Sequence, residues 1–167
     1  KICDDHGIMM VCDEVQTGWA RSGRMFVSNY YEEAGCPPDI LVTAKSIAGG
    51  LPLSAVTARK EVMDGVVGGT IGGTYCGNAV ACASGIALLN IMMKEDYRAK
   101  ARKIAERCMG KFNQWKEKYE VVGDVRGVGA MMGVEFVKNK ETKEPNSEIV
   151  TAIVNAAVQK GLLLEGA

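Results

Sequence analysis

Histidine is almost missing from this chain. His6 is the one example in 167 residues, and the six cysteines, at 3, 12, 36, 76, 82 and 108, form no C-x-x-C pair. That composition argues against a Cys/His zinc site, and no metal is expected. Net charge is missing too, because twenty Lys and Arg balance twenty Asp and Glu. No whole-chain field then points to nucleic acid or to an anionic membrane surface, and neither is expected as a partner. No apolar run is long enough to span a bilayer, and no signal peptide, internal repeat or low-complexity tract is visible. Several cysteines fall inside predicted core elements, which suits reduced thiols in a cytosolic protein.

What is present is apolar material, 47% of the residues. That amount is expected to supply a sizeable core for one domain, or one domain and a fragment. The chain starts in what reads as the last turn of a helix over residues 1–6, closed by Gly7, and it stops just after the apolar run 162–164. Both ends look cut, so an internal piece of a longer protein is expected.

Residues 8–12, Ile-Met-Met-Val-Cys, form a continuous apolar run and predict a strand covered on both faces. Such a strand delivers Asp13 and Glu14 to its carboxyl end. Paired acids there are open to three readings: a metal site, a general acid/base pair or a polar loop. Residues 40–44, Ile-Leu-Val-Thr-Ala, predict a second buried strand, broken at once by Ser46 and Gly49-Gly50. Lys45 falls just past its end, where an open α/β sheet keeps its ligand crevice. A lysine entering a crevice from a hydrophobic strand is partly desolvated, which suits it to forming a Schiff base. The plainer alternative is a solvated lysine at a strand end.

Residues 53–58 predict a third strand and 60–67 a short helix. A glycine-rich stretch follows at 68–77, and Asn78 caps a helix over 79–93 that is apolar all round and therefore expected to be buried. Glycines running into a helix start can offer backbone N–H groups to a phosphate. The stretch is not a Walker loop, because no lysine follows Gly73. Gly127-x-Gly129 has its third glycine at 133, one residue too late for a dinucleotide fingerprint. Asp96 caps a long amphipathic helix whose stripe Tyr97, Ala101, Ile104, Cys108, Phe112, Trp115 and Tyr119 reads as packing. Residues 121–126 and 130–137 predict an antiparallel strand pair. A last helix, capped by Asn146 or Ser147 and stopped by Gly161, turns Ile149, Val150, Ile153, Val154, Ala157 and Val158 inward.

An acid at one strand end, a lysine at another and a glycine-threonine loop before a buried helix are what pyridoxal 5'-phosphate (PLP) requires. Asp13-Glu14-Val15-Gln16-Thr17-Gly18-Trp19-Ala20-Arg21-Ser22-Gly23, Ala44-Lys45-Ser46-Ile47-Ala48-Gly49-Gly50-Leu51-Pro52-Leu53 and Gly72-Gly73-Thr74-Tyr75-Cys76-Gly77-Asn78 resemble the class III (ω-) aminotransferases. The likeness is greatest to the 4-aminobutyrate aminotransferase group. Val125-Arg126-Gly127-Val128-Gly129-Ala130-Met131-Met132 and Lys160-Gly161-Leu162-Leu163 resemble that group's C-terminal domain, so the likeness covers essentially the whole chain.

The resemblance implies an α/β protein of PLP-dependent transferase fold type I. Residues 1–94 would be the C-terminal part of the large PLP-binding domain, with a partial, mostly parallel sheet. Residues 95–167 would be a truncated small α+β C-terminal domain. It implies Lys45 as the Schiff-base lysine and proton shuttle, Asp13 as partner of the pyridine nitrogen and Gln16 as contact to the ring hydroxyl. Thr74 would bind the phosphate from the neighbouring subunit, which implies a homodimer with shared active sites. Glu14 and Arg21 belong to the motif without an assigned role. Arg126 is read as structural, although an arginine there could clamp a substrate carboxylate. The chain departs from the family at Ala20, usually glycine, and at Ala79, often proline; both are expected to be loop-packing changes.

The implied activity is transfer of an amino group from an ω-amino acid to a keto acid such as 2-oxoglutarate, in the cytoplasm. Alternatives are an acetylornithine or other ω-amine transaminase, a decarboxylating transaminase, an aminomutase, or a catalytically incomplete fragment. A dinucleotide-binding domain is disfavoured by the misplaced glycines.

Overall fold

The computed structural model describes residues 2–166, so Lys1, where the first helix is expected to begin, lies outside the described residues. The chain runs α1 (Ile2–His6), β1 (Val11–Asp13), α2 (Ser28–Glu33) and β2 (Ile40–Thr43), followed by a 3-10 turn at Lys45–Ala48. It continues with β3 (Ala55–Ala58), α3 (Lys60–Asp64), α4 (Ala79–Lys94) and α5 (Tyr97–Lys118), then β4 (Val122–Val128), β5 (Met131–Phe136) and α6 (Ser147–Gln159). The described residues form two compact units. One holds the chain up to Lys103 together with Gly129–Met131; the other holds Ile104–Val128 and the residues from Met132 onward.

The first unit is built on a mixed sheet in the order β1-β2-β3. β1 and β2 are parallel, with Val11 opposite Ile40, Cys12 opposite Leu41 and Asp13 opposite Val42. β3 is antiparallel to β2, from Ile40 opposite Ala58 to Thr43 opposite Ala55. The apolar run at 8–12 predicts a longer β1 than the three residues observed. Pairing starts late because the Met10 N–H donates to the Asp39 side chain (2.6 Å) instead of to a strand carbonyl. Asp39 and Ile40 N–H groups both converge on the Met10 carbonyl. The ladder therefore opens at Val11.

The expectation of a large core and of full cover for β1 and α4 is not met within these residues. The fully buried apolar side chains are small or β-branched: Ala20, Ala48, Ala81, Ala101, Val122 and Val137. Val11 is 54% exposed, Ile86 62% and Met93 81%. An apolar pattern says that a face gains by being covered. It does not say that the cover comes from the same stretch of chain.

α4 begins where its cap predicts. The Asn78 side chain accepts from the N–H groups of Val80 and Ala81, both at 3.0 Å. Replacing Asn78 by alanine strands those two donors at the helix start and should destabilise the full-length protein by about 1 kcal/mol, read from a urea titration.

In the first unit the residues Gly129–Met131 sit against the Arg21–Gly23 backbone. Ala130 N–H donates to the Arg21 carbonyl at 2.7 Å. Gly129 has φ +57, and a Cβ there would lie 2.3 Å from the Ser22 carbonyl carbon and 2.5 Å from Gly23 N. Backbone cannot swing aside as a side chain can. Gly129→Ala should therefore cost about 2–4 kcal/mol of stability, from overpacking and left-handed strain together; a urea midpoint unchanged from wild type would contradict this.

In the second unit β4 and β5 form a two-stranded sheet, antiparallel because only Gly129 and Ala130 separate them. β4 extends through Gly127 and Val128, which the sequence reading assigns to the turn. Asp124 accepts from Lys116 and Arg126, and the Lys116 hydrogen bond, with the Val125 N–H and Arg126 next, pulls its carboxyl down to about 2. α6 is capped by Asn146, whose side chain accepts from Ile149 N–H. It ends at Gly161 (φ +77), with Leu162 N–H returning to the Ala157 carbonyl. Val158, expected inward, is half-exposed.

Candidate active site

β2 forms because Ile40, Leu41, Val42 and Thr43 suit a pleated, half-buried strand. Ala44 is still extended, and Lys45 then turns the chain with φ +47. A non-glycine residue in the left-handed region costs about 1–2 kcal/mol, so packing must hold it there. α4 supplies that packing. Ser84 Oγ donates to the Ala48 carbonyl at 2.8 Å, and Ala48 is wholly buried. A Cβ on Gly85 would stand 3.1 Å from the Ile47 carbonyl oxygen, a tight approach that glycine makes without displacing the turn. The sequence signal was available in the small residues Ala81, Ser84 and Gly85, spaced by three and four on one helix face.

Lys45 itself is exposed, not drawn into the apolar crevice that its place after a hydrophobic strand predicts. It makes no ion pair or hydrogen bond among the described residues. The groove, of about 670 Å³, is lined by Lys45 with Trp19, Leu53, Leu88, Met92 and Tyr97, among others. Its wall is mostly apolar, with one primary amine.

Asp13 ends β1, and its register partner Val42 lies three residues before Lys45 on the adjacent parallel strand. Acid and amine therefore leave the same edge of the sheet. Asp13 Oδ1 accepts from Val15 N–H at 3.0 Å; the carboxylate is exposed and has no other protein partner among the described residues. Gln16 is exposed in the following turn. Asp13 and Gln16 do not line the groove that Lys45 lines. Thr74 is exposed in the irregular stretch between α3 and α4, and it does not line that groove either. The strand register thus brings Asp13 and Lys45 to one sheet edge.

Glu14, given no role from the sequence, is the bulkiest fully buried side chain among the described residues, 1% exposed. Its carboxylate accepts from Ser28 N–H at 2.6 Å and from the Thr17 hydroxyl. Its own N–H donates to the Val42 carbonyl at 2.8 Å. Burial, and then the negative charge of Glu14, hold the Cys12 thiol above its ordinary range. Farther along the loop Trp19 and Ala20 both have positive φ, 58° and 69°. Ala20 occupies a backbone conformation that glycine adopts without strain, which accounts for glycine being usual there in the resembled family.

Arg126, in the second unit, is engaged by Glu135 at 2.9 Å and Asp124 at 3.1 Å. Those two carboxylates, Glu135 first, raise its already high pKa, and they support its structural reading. No group of three or more His, Cys, Asp or Glu among the described residues could hold a metal. No helix among them is long and apolar enough to cross a membrane.

The chemistry of this donor set fits a group that carries an aldehyde and a basic ring nitrogen. An unpaired primary amine at one strand end meets the first need, and a carboxylate with a free oxygen at the next meets the second.

Comparison with known proteins bears on the same point. The family described as Aminotransferase class-III matches residues 1–167. The chain is 39% identical over 163 residues to 5-aminovalerate aminotransferase DavT of Pseudomonas aeruginosa, covering 98% of this chain and 38% of that one. It is 41% identical over 163 residues to 4-aminobutyrate aminotransferase GabT of Escherichia coli, with the same two coverages. Among solved structures, an amine transaminase from an uncultivated Pseudomonas species in a PLP-bound form superposes with a TM-score of 0.88 at 35% identity. That match covers 98% of this chain and 39% of that one. The chain thus spans little more than a third of the length of these relatives.

Proposed function

The chain belongs to the class III aminotransferases, a PLP-dependent family, and from that premise we propose that the protein containing it moves an amino group from an ω-amino acid to a keto acid. The donor class follows relatives named for 4-aminobutyrate and 5-aminovalerate. A 2-oxoglutarate-like acceptor completes the exchange. The single observation that carries the site reading is the parallel β1–β2 register, which sends Asp13 and Lys45 out of one sheet edge.

PLP, when bound, supplies an aldehyde that condenses with amines and a ring that accepts an electron pair. Lys45 Nζ, an exposed primary amine, would be the group that holds it covalently until an amino donor displaces it. Once displaced by the donor, the Lys45 amine would act as the base that takes the proton from the substrate carbon and returns it at the former aldehyde carbon. Asp13 would keep the ring nitrogen protonated, since a carboxylate beside a basic nitrogen favours the charged form. Gln16 would orient the ring hydroxyl, and the Thr74 hydroxyl of a neighbouring subunit would hold the phosphate. That role for Thr74 requires a homodimer with shared sites. Residues 1–94 are assigned to the large PLP-binding domain and 95–167 to the small one. A cytoplasmic setting suits six free cysteines.

The test is glutamate formation from 4-aminobutyrate and 2-oxoglutarate by the full-length protein with PLP, run beside 5-aminovalerate and acetylornithine. Glutamate with an ω-amino donor is expected. Turnover confined to another amine, or loss of carbon dioxide, would move the protein to a different class III reaction: an ω-amine or acetylornithine transaminase, a decarboxylating transaminase or an aminomutase. The exposed faces of β1 and α4 favour a further statement, that residues 1–167 alone form a catalytically incomplete fragment. A visible imine band on adding PLP to the full-length protein, but not to this piece, is the expected result.

A further inference from the structure

A carboxylate is a costly group to bury, and the cost is recovered only when its oxygens are fully bonded. Glu14 follows Asp13 directly and points to the opposite side of the strand, as alternation along a strand requires. There it is fastened by four hydrogen bonds. Its N–H continues the β1–β2 ladder by donating to the Val42 carbonyl. One carboxylate oxygen accepts from the Thr17 hydroxyl and the other from Ser28 N–H. Its carbonyl also accepts from Gly18 N–H at 3.1 Å. The turn between those anchor points is Val15-Gln16-Thr17, and the Val15 N–H in that turn grips Asp13 Oδ1. An apolar side chain of similar bulk would fill the space, yet it would leave the Thr17 hydroxyl and the Ser28 N–H without this partner.

We propose that Glu14 is a positioning residue for the cofactor: its buried carboxylate clasps the turn that aims Asp13 and Gln16 at the ring. The role is geometric rather than electrostatic. Two hydrogen-bonding atoms at fixed points matter, one to the Thr17 hydroxyl and one to Ser28 N–H, and the negative charge does not. This inference rests on the reading of Asp13 and Gln16 given above.

A glutamine at 14 preserves both links, because its oxygen can accept from Ser28 N–H while its amide donates to the Thr17 hydroxyl. An alanine keeps neither. In the full-length protein, PLP affinity is to be read from the visible band on titrating the apo form. Hydrogen exchange of the amides from Val15 to Gly18 is to be followed without cofactor. Glu14→Ala should bind PLP roughly tenfold more weakly, the fold-change expected when an ordered turn must be fixed at binding. Its Val15–Gly18 amides should exchange faster, while Glu14→Gln stays within about threefold of wild type on both readouts.

Should Glu14→Ala fail to fold, Thr17→Val removes one link alone and should weaken PLP binding about threefold, with faster exchange at Gln16 and Thr17. Wild-type affinity in a folded Glu14→Ala, or in Thr17→Val where that variant is the one available, overturns the proposal. Glu14→Gln as impaired as Glu14→Ala overturns it too, since charge would then be what matters. A wild-type protein that shows no visible band at all would count against the PLP reading itself, and is told apart in that way.

Discussion

Alanine in place of Lys45 should lower transamination by the full-length protein at least about a thousandfold, because one side chain is proposed to supply both the covalent tether and the proton carrier. The fold should tolerate the change. The Lys45 side chain is exposed and makes no hydrogen bond or ion pair among the described residues, and its turn is held by Ala48, Ser84 and Gly85 instead. Left-handed strain is the same for alanine as for lysine, so stability should move little. Borohydride treatment of wild type should attach the cofactor label to the peptide containing Lys45, and the alanine variant should take up none. Lys45→Arg keeps a cation but cannot form an imine at neutral pH, so it should be as inactive as alanine. Activity within tenfold of wild type in either variant would remove the basis of the proposed mechanism.

Asparagine at position 13 is expected to reduce kcat/KM by roughly 10²–10³-fold, the scale of removing one preorganised electrostatic partner. The substitution is nearly isosteric. Its amide oxygen can still accept from Val15 N–H, so the turn should stay in place. What is lost is the charge that keeps a ring nitrogen protonated. Visible spectra recorded against pH should therefore show the ring-nitrogen titration shifted downward in Asp13→Asn, with Asp13→Glu intermediate. A neutral residue at 13 supporting turnover within threefold of wild type would exclude Asp13 from this role.

Several features were legible from single residues. Asn78 and Asp96 accept from N–H groups at the starts of α4 and α5, and Gly161 ends α6, because capping depends on local geometry that a short sequence window contains. The strand ends at Asp13 and Lys45 were legible for a similar reason: apolar runs stop at polar or glycine-rich residues. The α/β class and the family were legible because three cofactor motifs occur in order between residues 13 and 78 and two further stretches carry the likeness on to residue 163. Cover was not legible. α4 reads as buried on all sides, yet the structure seats only its Ala81–Gly85 side and leaves Val80, Ile86 and Met93 open. Hydrophobicity records a side chain's preference and carries no address for its partner. Glu14 escaped for the opposite reason. A buried carboxylate is uncommon, and its anchor at Ser28 N–H is a backbone group fourteen positions away that leaves no trace in residue identity.

The parallel pairing of β1 with β2 has a kinetic corollary. No tight turn can join parallel strands, so residues 14–39 must loop out before Asp13 meets Val42. Closing that loop costs chain entropy before any contact repays it. Acid and amine become neighbours only when that loop closes. A chain still emerging from the ribosome, with β1 made and β2 not yet released, would carry the acid of Asp13 with no Lys45 amine beside it.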